Sequence, residues 1–345
     1  MQAHQALQKY FGYSEFRDGQ ETLINAILAG KDALGIMPTG GGKSLCYQIP
    51  ALLLPHITLV ISPLISLMKD QVDSLSEIGI SATFINSTLD EETLRERLIG
   101  IRELRYKIIY IAPERLNTYS IRNLFSAVPI SFIAVDEAHC ISKWGHDFRP
   151  AYGEIVDFVY QLPNRPPIGA YTATATLDVI DEIKQLLHLQ APVESIISFD
   201  RKNLTFEVLK VSDKRQYIVD FIKRFYPKDA GIIYCATRKS VETLTEFLQK
   251  AGFDALSYHG GMHSDDREAN QNAFIYDKVQ IIVATNAFGM GIDKSNVRFV
   301  IHYNMPQNME AYYQEAGRAG RDGDPAHCLL MYSPRDISNQ KYLIE

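Results

Sequence analysis

Short, almost continuously apolar runs recur along the chain and alternate with longer stretches of helical character. Apolar runs of this kind, separated by helices, are typical of parallel strands that are buried on both faces. The first series of predicted strands is Ala33–Met37, Thr58–Ile61, Ile108–Ile111, Phe132–Val135 and Ile168–Tyr171. The second series is Thr205–Val211, Gly231–Tyr234, Ala255–Tyr258, Gln280–Ala284, Phe299–Tyr303 and Cys328–Tyr332. The pattern predicts an α/β protein with two parallel sheets and right-handed crossovers.

A polar stretch over residues 200–203 separates the two series and suits a short linker. A chain of 345 residues is too long for one ordinary core and long enough for two. We therefore predict a first domain over residues 1–200 and a second over residues 201–345.

Residues 44–68 contain no lysine, arginine, aspartate or glutamate, and a segment of this length could span a bilayer. Three prolines, Pro50, Pro55 and Pro63, argue against a spanning helix because each interrupts the hydrogen-bond ladder. We instead predict a helix that ends near Pro50, followed by a buried strand over Ile57–Ile61, and no membrane partner.

The overall charge does not indicate a nucleic-acid binder, since the chain carries a net charge of −6. Residues 1–200 hold 16 basic and 23 acidic side chains, a net of −7, whereas residues 201–345 hold 19 and 18, a net of +1. Phosphate contacts must therefore come from local clusters. The cysteines, Cys46, Cys140, Cys235 and Cys328, lack zinc-ligand spacing and indicate reduced thiols with no zinc site.

Polar or glycine-rich segments follow the carboxyl ends of many predicted strands, where open α/β sheets bind their ligands. These segments are residues 38–44, 136–139, 172–176 and 285–293. Each domain therefore presents a functional edge, and a ligand cleft between the two domains is the expected arrangement.

The segment Thr39, Gly40, Gly41, Gly42, Lys43, Ser44 lies between a predicted strand and a predicted helix. Glycines let several backbone N–H groups point at one phosphate, and the helix N-terminus adds positive potential. Lys43 can reach the β- and γ-phosphates of ATP, and Ser44 can ligate Mg²⁺. The strict phosphate-loop pattern needs a glycine where Met37 stands, so a flexible glycine turn remains the alternative.

Asp136 and Glu137 end a hydrophobic strand. Asp136 can hold Mg²⁺ through water, and Glu137 can orient or deprotonate the attacking water. Adjacent acids at a strand end could instead be solvated surface. The presence of Lys43 and Ser44 at what we take to be the neighbouring strand end favours the site.

Residues 314–321 place Arg318 and Arg321 three positions apart, on one helix face. Arginine forks bind phosphate oxygens in a bidentate manner, so either residue could act as an arginine finger supplied by the second domain. Gln314 could sense the γ-phosphate. A salt-bridged helix is the alternative for either arginine.

Taken together, these segments closely resemble a superfamily 2 helicase of the RecQ family, from Phe11 to about Tyr332. Residues 11–20 are similar to the family's adenine-recognition motif, which implies that Gln20 hydrogen-bonds adenine and that Tyr13 and Arg17 flank it. Residues 37–44 match the family's form of the phosphate loop. The resemblance implies two tandem RecA-like domains with ATP in the cleft between them.

Residues 140–150 are similar to the family's aromatic-rich loop, which the resemblance implies couples single-stranded DNA to hydrolysis. Stacking of an aromatic ring on an unpaired base contributes roughly 1–3 kcal/mol, and basic side chains attract phosphate. The alternative is an aromatic core loop. The resemblance assigns DNA binding or coupling to these residues: Trp144, His146, Phe148, Arg149, Arg238, His259 and Thr285. Residues 62–71 and 112–115 resemble DNA-backbone motifs, and residues 172–174 resemble the motif linked to domain closure.

The resemblance implies an ATP-dependent DNA helicase that uses ATP and Mg²⁺ and moves 3′→5′ on single-stranded or partly duplex DNA. It also implies DNA-repair partners, a monomer, and a cytoplasmic, nucleoid-associated location in a bacterium or a nuclear one in a eukaryote. The family's zinc-binding, winged-helix and HRDC modules have no counterpart here, so we expect the catalytic core alone. The alternatives are a DEAD-box RNA helicase, which should lack the loop at 144–149, an inert scaffold, and a metabolic P-loop kinase.

Overall fold

The computed structural model describes residues 2–38, 40–142, 148–173, 175–197, 200–289 and 294–333. The chain divides into two compact units, Met1–Phe199 and Asp200–Glu345. Each unit is built on one sheet.

Within the described part of the first unit, seven parallel strands form a sheet in the order β3-β4-β2-β5-β6-β1-β7. The strands are β1 Ala33–Ile36, β2 Ile57–Ile61, β3 Ala82–Ile85, β4 Ile108–Ile111, β5 Ile130–Val135, β6 Ile168–Thr172 and β7 Val193–Ile196. The helices are α1 Ala3–Ala6, α2 Gln20–Leu28, α3 Leu45–Leu53, α4 Ile65–Glu77, α5 Glu91–Arg102, α6 Tyr119–Ala127, α7 Glu154–Tyr160 and α8 Leu177–Leu186. A π-helical turn, Leu7–Phe11, follows α1, and short 3₁₀ turns lie at Pro113–Arg115, Ala138–Ile141 and Pro150–Gly153.

In the described part of the second unit, six parallel strands form a sheet in the order β10-β11-β9-β12-β13-β8. The strands are β8 Leu204–Lys210, β9 Ala230–Tyr234, β10 Ala255–Tyr258, β11 Ile281–Ala284, β12 Val297–His302 and β13 Ala326–Tyr332. The helices are α9 Lys214–Phe225, α10 Arg238–Lys250, α11 Ser264–Ile275 and α12 Met309–Ala316. The prediction of an α/β protein with two parallel sheets is confirmed.

Alternate residues of the central strands enter two different cores, one on each face of the sheet. In β5, Ile133 and Val135 join one buried cluster, whereas Phe132 and Ala134 join the other. The central strands of the second sheet likewise contribute residues to two separate buried clusters. Burial on both faces explains why the central strands are continuous apolar runs in the sequence.

Two strands of the first sheet, β3 and β7, were absent from the prediction, and both lie at sheet edges. In β7, partly buried and exposed positions alternate along Val193–Ile196, so its side chains do not form a continuous apolar run. Edge strands have one unpaired side and tolerate polar residues, which removes the signal on which the prediction relied.

The helix predicted to end near Pro50 is α3, which continues through the proline and ends at Leu53. A proline inside a helix leaves the carbonyl four residues earlier without its backbone donor. Here that carbonyl belongs to Cys46, and it accepts a hydrogen bond from the hydroxyl of Tyr171 at 3.3 Å. A side chain from β6 thus replaces the missing helix bond. The predicted buried strand Ile57–Ile61 is confirmed as β2.

The sequence placed the glycine-rich segment and the acidic pair at neighbouring strand ends, and this expectation is wrong. Strand β6 lies between β1 and β5 in the sheet. Strand order depends on pairing between distant segments, which a linear pattern does not encode. Because the strands are parallel, their carboxyl ends still share one edge.

Among the described residues, none of the helices combines the length and the hydrophobicity that crossing a bilayer would require.

Candidate functional site

The glycine-rich segment forms the loop between β1 and α3, as predicted. Gly42 has a φ of +77°, and a Cβ on it would collide with the side-chain amide of Gln20. Glycine is therefore the residue that fits this position, because it adopts a positive φ readily and leaves room for the Gln20 amide. Thr39 lies outside the described residues.

Two residues of the predicted adenine motif contact this loop. The Nε2 of Gln20 donates hydrogen bonds to the carbonyl oxygens of Gly41 at 3.2 Å and Gly42 at 3.0 Å. Its Oε1 accepts from the backbone N–H of Arg17 at 2.8 Å, and the Arg17 guanidinium donates to the Gly40 carbonyl. Gln20 is 1% exposed. The resemblance assigned the Gln20 amide to adenine, and in this structure the amide binds the backbone of the loop. Tyr13, which was predicted to flank adenine, is exposed.

The loop lysine reaches the acidic pair. The Nζ of Lys43 lies 3.2 Å from Oε1 of Glu137, and both side chains are largely buried. Glu137 has a φ of +47° and ψ of +47°, a left-handed conformation that is uncommon outside glycine. The backbone therefore makes a sharp turn directly after β5, which aims this carboxylate at the loop.

Asp136 precedes that turn and is 5% exposed. Its backbone N–H donates to the Ile61 carbonyl at 2.8 Å, and its own carbonyl accepts from the Tyr152 hydroxyl at 2.8 Å. Burial, and then repulsion from Glu137, raises the pKa of Asp136 to about 6, while Lys43 opposes the shift. A buried carboxylate beside a second carboxylate favours a cation, so Asp136 fits the predicted Mg²⁺ role.

A histidine connects the acidic pair to the end of β6. The Nδ1 of His139 lies 2.7 Å from the hydroxyl oxygen of Thr172 and 3.4 Å from Oε2 of Glu137. His139 is buried. His139 was not among the predicted site residues, although its position two residues after Glu137 is a signal in the sequence.

The predicted DNA-coupling loop is described only at its two ends, residues 140–142 and 148–150, and Trp144 and His146 lie outside the described residues. Phe148 is 41% exposed. The backbone N–H of Arg149 donates to the Cys140 carbonyl at 2.8 Å, and its guanidinium donates to the Pro63 carbonyl at 3.0 Å. Arg149 therefore connects this loop to one of the predicted DNA-backbone segments, residues 62–71.

In the second unit, three predicted DNA-binding residues follow the ends of the adjacent strands β9, β10 and β11, and therefore share one sheet edge. Arg238 begins α10 and is exposed. His259 is buried, with Nε2 3.3 Å from Oε1 of Glu242 and Nδ1 accepting from the Gly261 N–H at 3.2 Å. The hydroxyl of Thr285 accepts from the backbone N–H of Ala287 at 3.4 Å.

The segment over residues 317–324, which carries Arg318 and Arg321 and is called the arginine segment below, follows α12. Arg318 is 8% exposed, and its guanidinium packs against Gly289. Burial raises the pKa of Tyr234, and the charge of Arg318 opposes this shift, which places the two side chains together. Gln314 and Arg321 are partly buried. Because Arg318 lies in the turn after α12, which ends at Ala316, the two arginines do not share one helix face as predicted.

Arg201 and Asn203, assigned to the linker from the sequence, contact the backbone of the arginine segment. No sequence signal marked them beyond their polarity. Among the described residues, no group of three or more histidine, cysteine, aspartate or glutamate side chains could hold a metal ion.

Family models match both units. A DEAD/DEAH box helicase model matches residues 17–183, and a helicase conserved C-terminal domain model matches residues 213–323. With the two all-parallel sheets, these matches confirm two RecA-like domains.

Sequence relatives give a narrower assignment. The ATP-dependent DNA helicase RecQ of Bacillus subtilis is 49% identical over 344 residues, which cover 99% of this chain and 58% of the relative. The probable ATP-dependent DNA helicase RecS of the same organism is 42% identical, over 99% of this chain and 69% of the relative. The chain spans a little over half the length of the RecQ proteins of Bacillus subtilis, Pasteurella multocida and Haemophilus influenzae.

Solved structures share the fold. Mycobacterium smegmatis helicase Lhr, bound to single-stranded DNA and AMP-PNP, matches with a TM-score of 0.75 at 20% identity, over 95% of this chain and 47% of Lhr. Dbp5 of S. cerevisiae, bound to RNA and ADP BeF3, matches with a TM-score of 0.74 at 16% identity, over 100% of this chain and 90% of Dbp5. The fold alone is therefore shared with a DNA-bound and an RNA-bound protein. The RecQ and RecS relatives are 49% and 42% identical to the chain, far above the identity of either solved structure. The chain belongs to the RecQ family of DNA helicases.

Proposed function

We propose that this chain is an ATP-hydrolysing motor that moves along single-stranded DNA. The observation that carries the proposal is the 3.2 Å contact between Lys43 and Glu137, beside buried Asp136. It brings a phosphate-binding cation and a candidate base together at one edge of the sheet, at the glycine-rich loop. The names of the RecQ relatives support ATP and DNA as the substrates.

In this proposal, Lys43 leaves Glu137 when ATP enters and binds the β- and γ-phosphate oxygens, as phosphate-loop lysines do. Ser44 and Asp136 would hold Mg²⁺, which supplies charge neutralisation at the phosphates. Glu137, released from Lys43, then orients the attacking water or accepts its proton. His139 keeps the Glu137 carboxylate in position through its 3.4 Å contact.

The second unit would contribute Arg318 and Arg321 to the charge that develops on the γ-phosphate, with Gln314 as a sensor. Arginine fingers stabilise this charge because their planar fork matches phosphate oxygens. This role rests on the resemblance to RecQ proteins and on the buried position of Arg318.

DNA would contact the exposed Phe148 and its loop, together with Arg238, His259 and Thr285 at the edge of the second sheet. The 3′→5′ direction, the unwinding of duplex DNA, repair-protein partners, the monomeric state and the cellular compartment stay predictions from the resemblance.

The test is the ATPase rate without nucleic acid, with single-stranded DNA and with single-stranded RNA, with Lys43→Ala as the control. We expect DNA to stimulate turnover strongly, RNA to do so weakly, and the Lys43→Ala variant to be inactive. Stimulation by RNA alone would move the assignment to an RNA helicase. Stimulation by neither would contradict the proposed coupling.

A second arm tests the loop. We expect Phe148→Ala to keep basal turnover and to require roughly 5- to 100-fold more DNA for stimulation, the equivalent of one lost base stack. Tyr119→Ala is the matched control, because Tyr119 is an exposed aromatic residue of the same unit to which we assign no role. Equal DNA dependence in the two variants would contradict the coupling role of Phe148.

A further inference from the structure

The arginine segment is held by a side chain that lies more than a hundred residues earlier in the chain. The Nη1 of Arg201 donates to the Gly317 carbonyl at 2.9 Å. Its Nη2 donates to the Ala319 carbonyl at 3.0 Å and to the Gly320 carbonyl. One guanidinium thus holds the backbone on both sides of Arg318.

Asn203 adds a second attachment to the same segment. Its Nδ2 donates to the carbonyls of Gly320 and Asp324, each at 2.9 Å. Gly320 has a φ of +56°, and a Cβ there would collide with this amide and lie 2.7 Å from the Asp324 carbonyl oxygen. The backbone at Gly320 is therefore fitted to the Asn203 side chain.

These contacts matter because the segment lies beyond the end of α12 at Ala316. Carbonyls in the turn after a helix have no partners in the helix ladder and need donors from elsewhere. Hydrogen bonds from a charged guanidinium are among the stronger donors available, and its fork fixes two directions at once. Arg201 and Asn203 thus help to hold the backbone that carries Arg318 and Arg321, together with the main-chain bonds from the Gly320 N–H to the Val297 carbonyl and from the Gly323 N–H to the Gly320 carbonyl.

We propose that Arg201 and Asn203 are positioning residues that set the arginine segment for ATP hydrolysis. The inference rests on the proposed function, since it requires Arg321 or Arg318 to act on ATP. Neither Arg201 nor Asn203 needs to touch the nucleotide. A misplacement of about 1 Å in a catalytic group can lower the rate about 100-fold, so loss of these attachments should appear in kcat.

The experiment is a double-mutant cycle on the DNA-stimulated ATPase rate, with Arg201→Ala, Arg321→Ala and the double variant. We expect Arg201→Ala to lower kcat about 10- to 100-fold and to change KM for ATP less than about 3-fold, because the phosphate loop lies in the first unit. In the Arg321→Ala background, the same change should lower kcat by less than about 3-fold, since residues that act as one unit are not additive. Arg201→Lys should recover part of the loss.

Arg97→Ala is the control for simple loss of stability. Arg97 lies in the first unit, donates to the Phe84 carbonyl at 2.7 Å and stacks on the Phe84 ring, and we assign it no catalytic role. We expect it to lower the unfolding temperature with kcat unchanged. Asn203→Ala removes fewer bonds and keeps the test usable if Arg201→Ala does not fold, with an expected loss in kcat of about 3- to 10-fold.

The outcomes separate the inference from the function on which it rests. Unchanged turnover in Arg321→Ala would move the cycle to Arg318→Ala, and unchanged turnover in both variants would contradict the arginine role and the inference with it. A loss in Arg321→Ala with normal kcat in both Arg201→Ala and Asn203→Ala would overturn the inference alone. An equal loss from Arg201→Ala in both backgrounds would also overturn it, because a general structural defect is additive.

Discussion

The two units hold their candidate residues in different ways. At the first edge, the carboxyl edge of the first sheet, the candidate side chains contact one another: Lys43 contacts Glu137, and His139 contacts both Glu137 and Thr172. In the second unit, the segment that carries Arg318 is held through its backbone by Arg201 and Asn203, which precede β8, so this attachment lies at the amino edge of the second sheet.

This difference indicates how each group of candidate residues should respond to change. Where charges hold one another, a substitution or a shift in pH alters the neighbouring charges as well. Where backbone contacts set the position, an exposed side chain can be removed without moving the others. The candidate residues of the first edge should therefore be sensitive to electrostatics, and those of the second unit to geometry.

The largest expected effect is that of Arg321→Ala, which removes a proposed phosphate contact and leaves the backbone attachments in place. Turnover should fall by roughly 10³- to 10⁵-fold, whereas ATP affinity should change little because Lys43 and its loop are intact. Single-turnover hydrolysis and equilibrium binding of a fluorescent ATP analogue measure the two quantities separately. Arg321→Lys, which keeps the charge and loses the fork, should remain impaired. Near-normal turnover in Arg321→Ala would transfer the role to Arg318.

The central strands and the phosphate loop could be predicted because burial imposes a local pattern on the sequence. Strands such as β2 and β5 are buried on both faces, so their apolar runs are continuous. The pairing of Lys43 with Glu137, 94 positions apart, was also predictable because both follow parallel strands, whose carboxyl ends share an edge. Edge strand β7 was not, since its side chains alternate between partly buried and exposed.

Features that depend on distant partners could not be predicted. The helix through Pro50 needs the Tyr171 hydroxyl, which lies more than a hundred residues away. Arg201 lies 116 positions from Gly317, and a polar residue at a domain boundary usually indicates a linker. The role of such residues is set by the carbonyl groups they meet, and those carry no side-chain signature.

A smaller expected effect tests the electrostatic character of the first edge. Burial raises the pKa of Asp136 to about 6 from its ordinary 3.8, so ionisation of this carboxyl opposes folding, and this cost grows as pH rises from about 4 to 6. In ligand-free protein with EDTA, Asp136→Asn should therefore raise the free energy of unfolding by up to about 3 kcal/mol at pH 8 and by less at pH 5. Urea unfolding at both pH values measures the difference.

The second unit offers a matched control of opposite sign for Asp136→Asn. A hydrogen bond from Lys294 lowers the pKa of Asp277, so its ionised form stabilises the fold above the ordinary pKa, and this stabilisation is lost as pH falls. Asp277→Asn should therefore lower stability at pH 8. A stability gain in Asp136→Asn that is identical at pH 5 and pH 8 would show that the first edge is not under electrostatic stress.

The smallest expected effect is that of Glu242→Gln, beside the carboxyl edge of the second sheet. Glu242 is the carboxylate 3.3 Å from His259, and its side chain is 59% exposed. An exposed ion pair contributes about 0–1 kcal/mol, so the loss in stability should be at most about 1 kcal/mol and the change in DNA-stimulated turnover at most about 2-fold. His259 should keep its place because Nδ1 still accepts from the Gly261 backbone. A fall in turnover comparable to that of Arg321→Ala would mean that charge pairs also position the candidate residues of the second unit, and the contrast between the two units would be wrong.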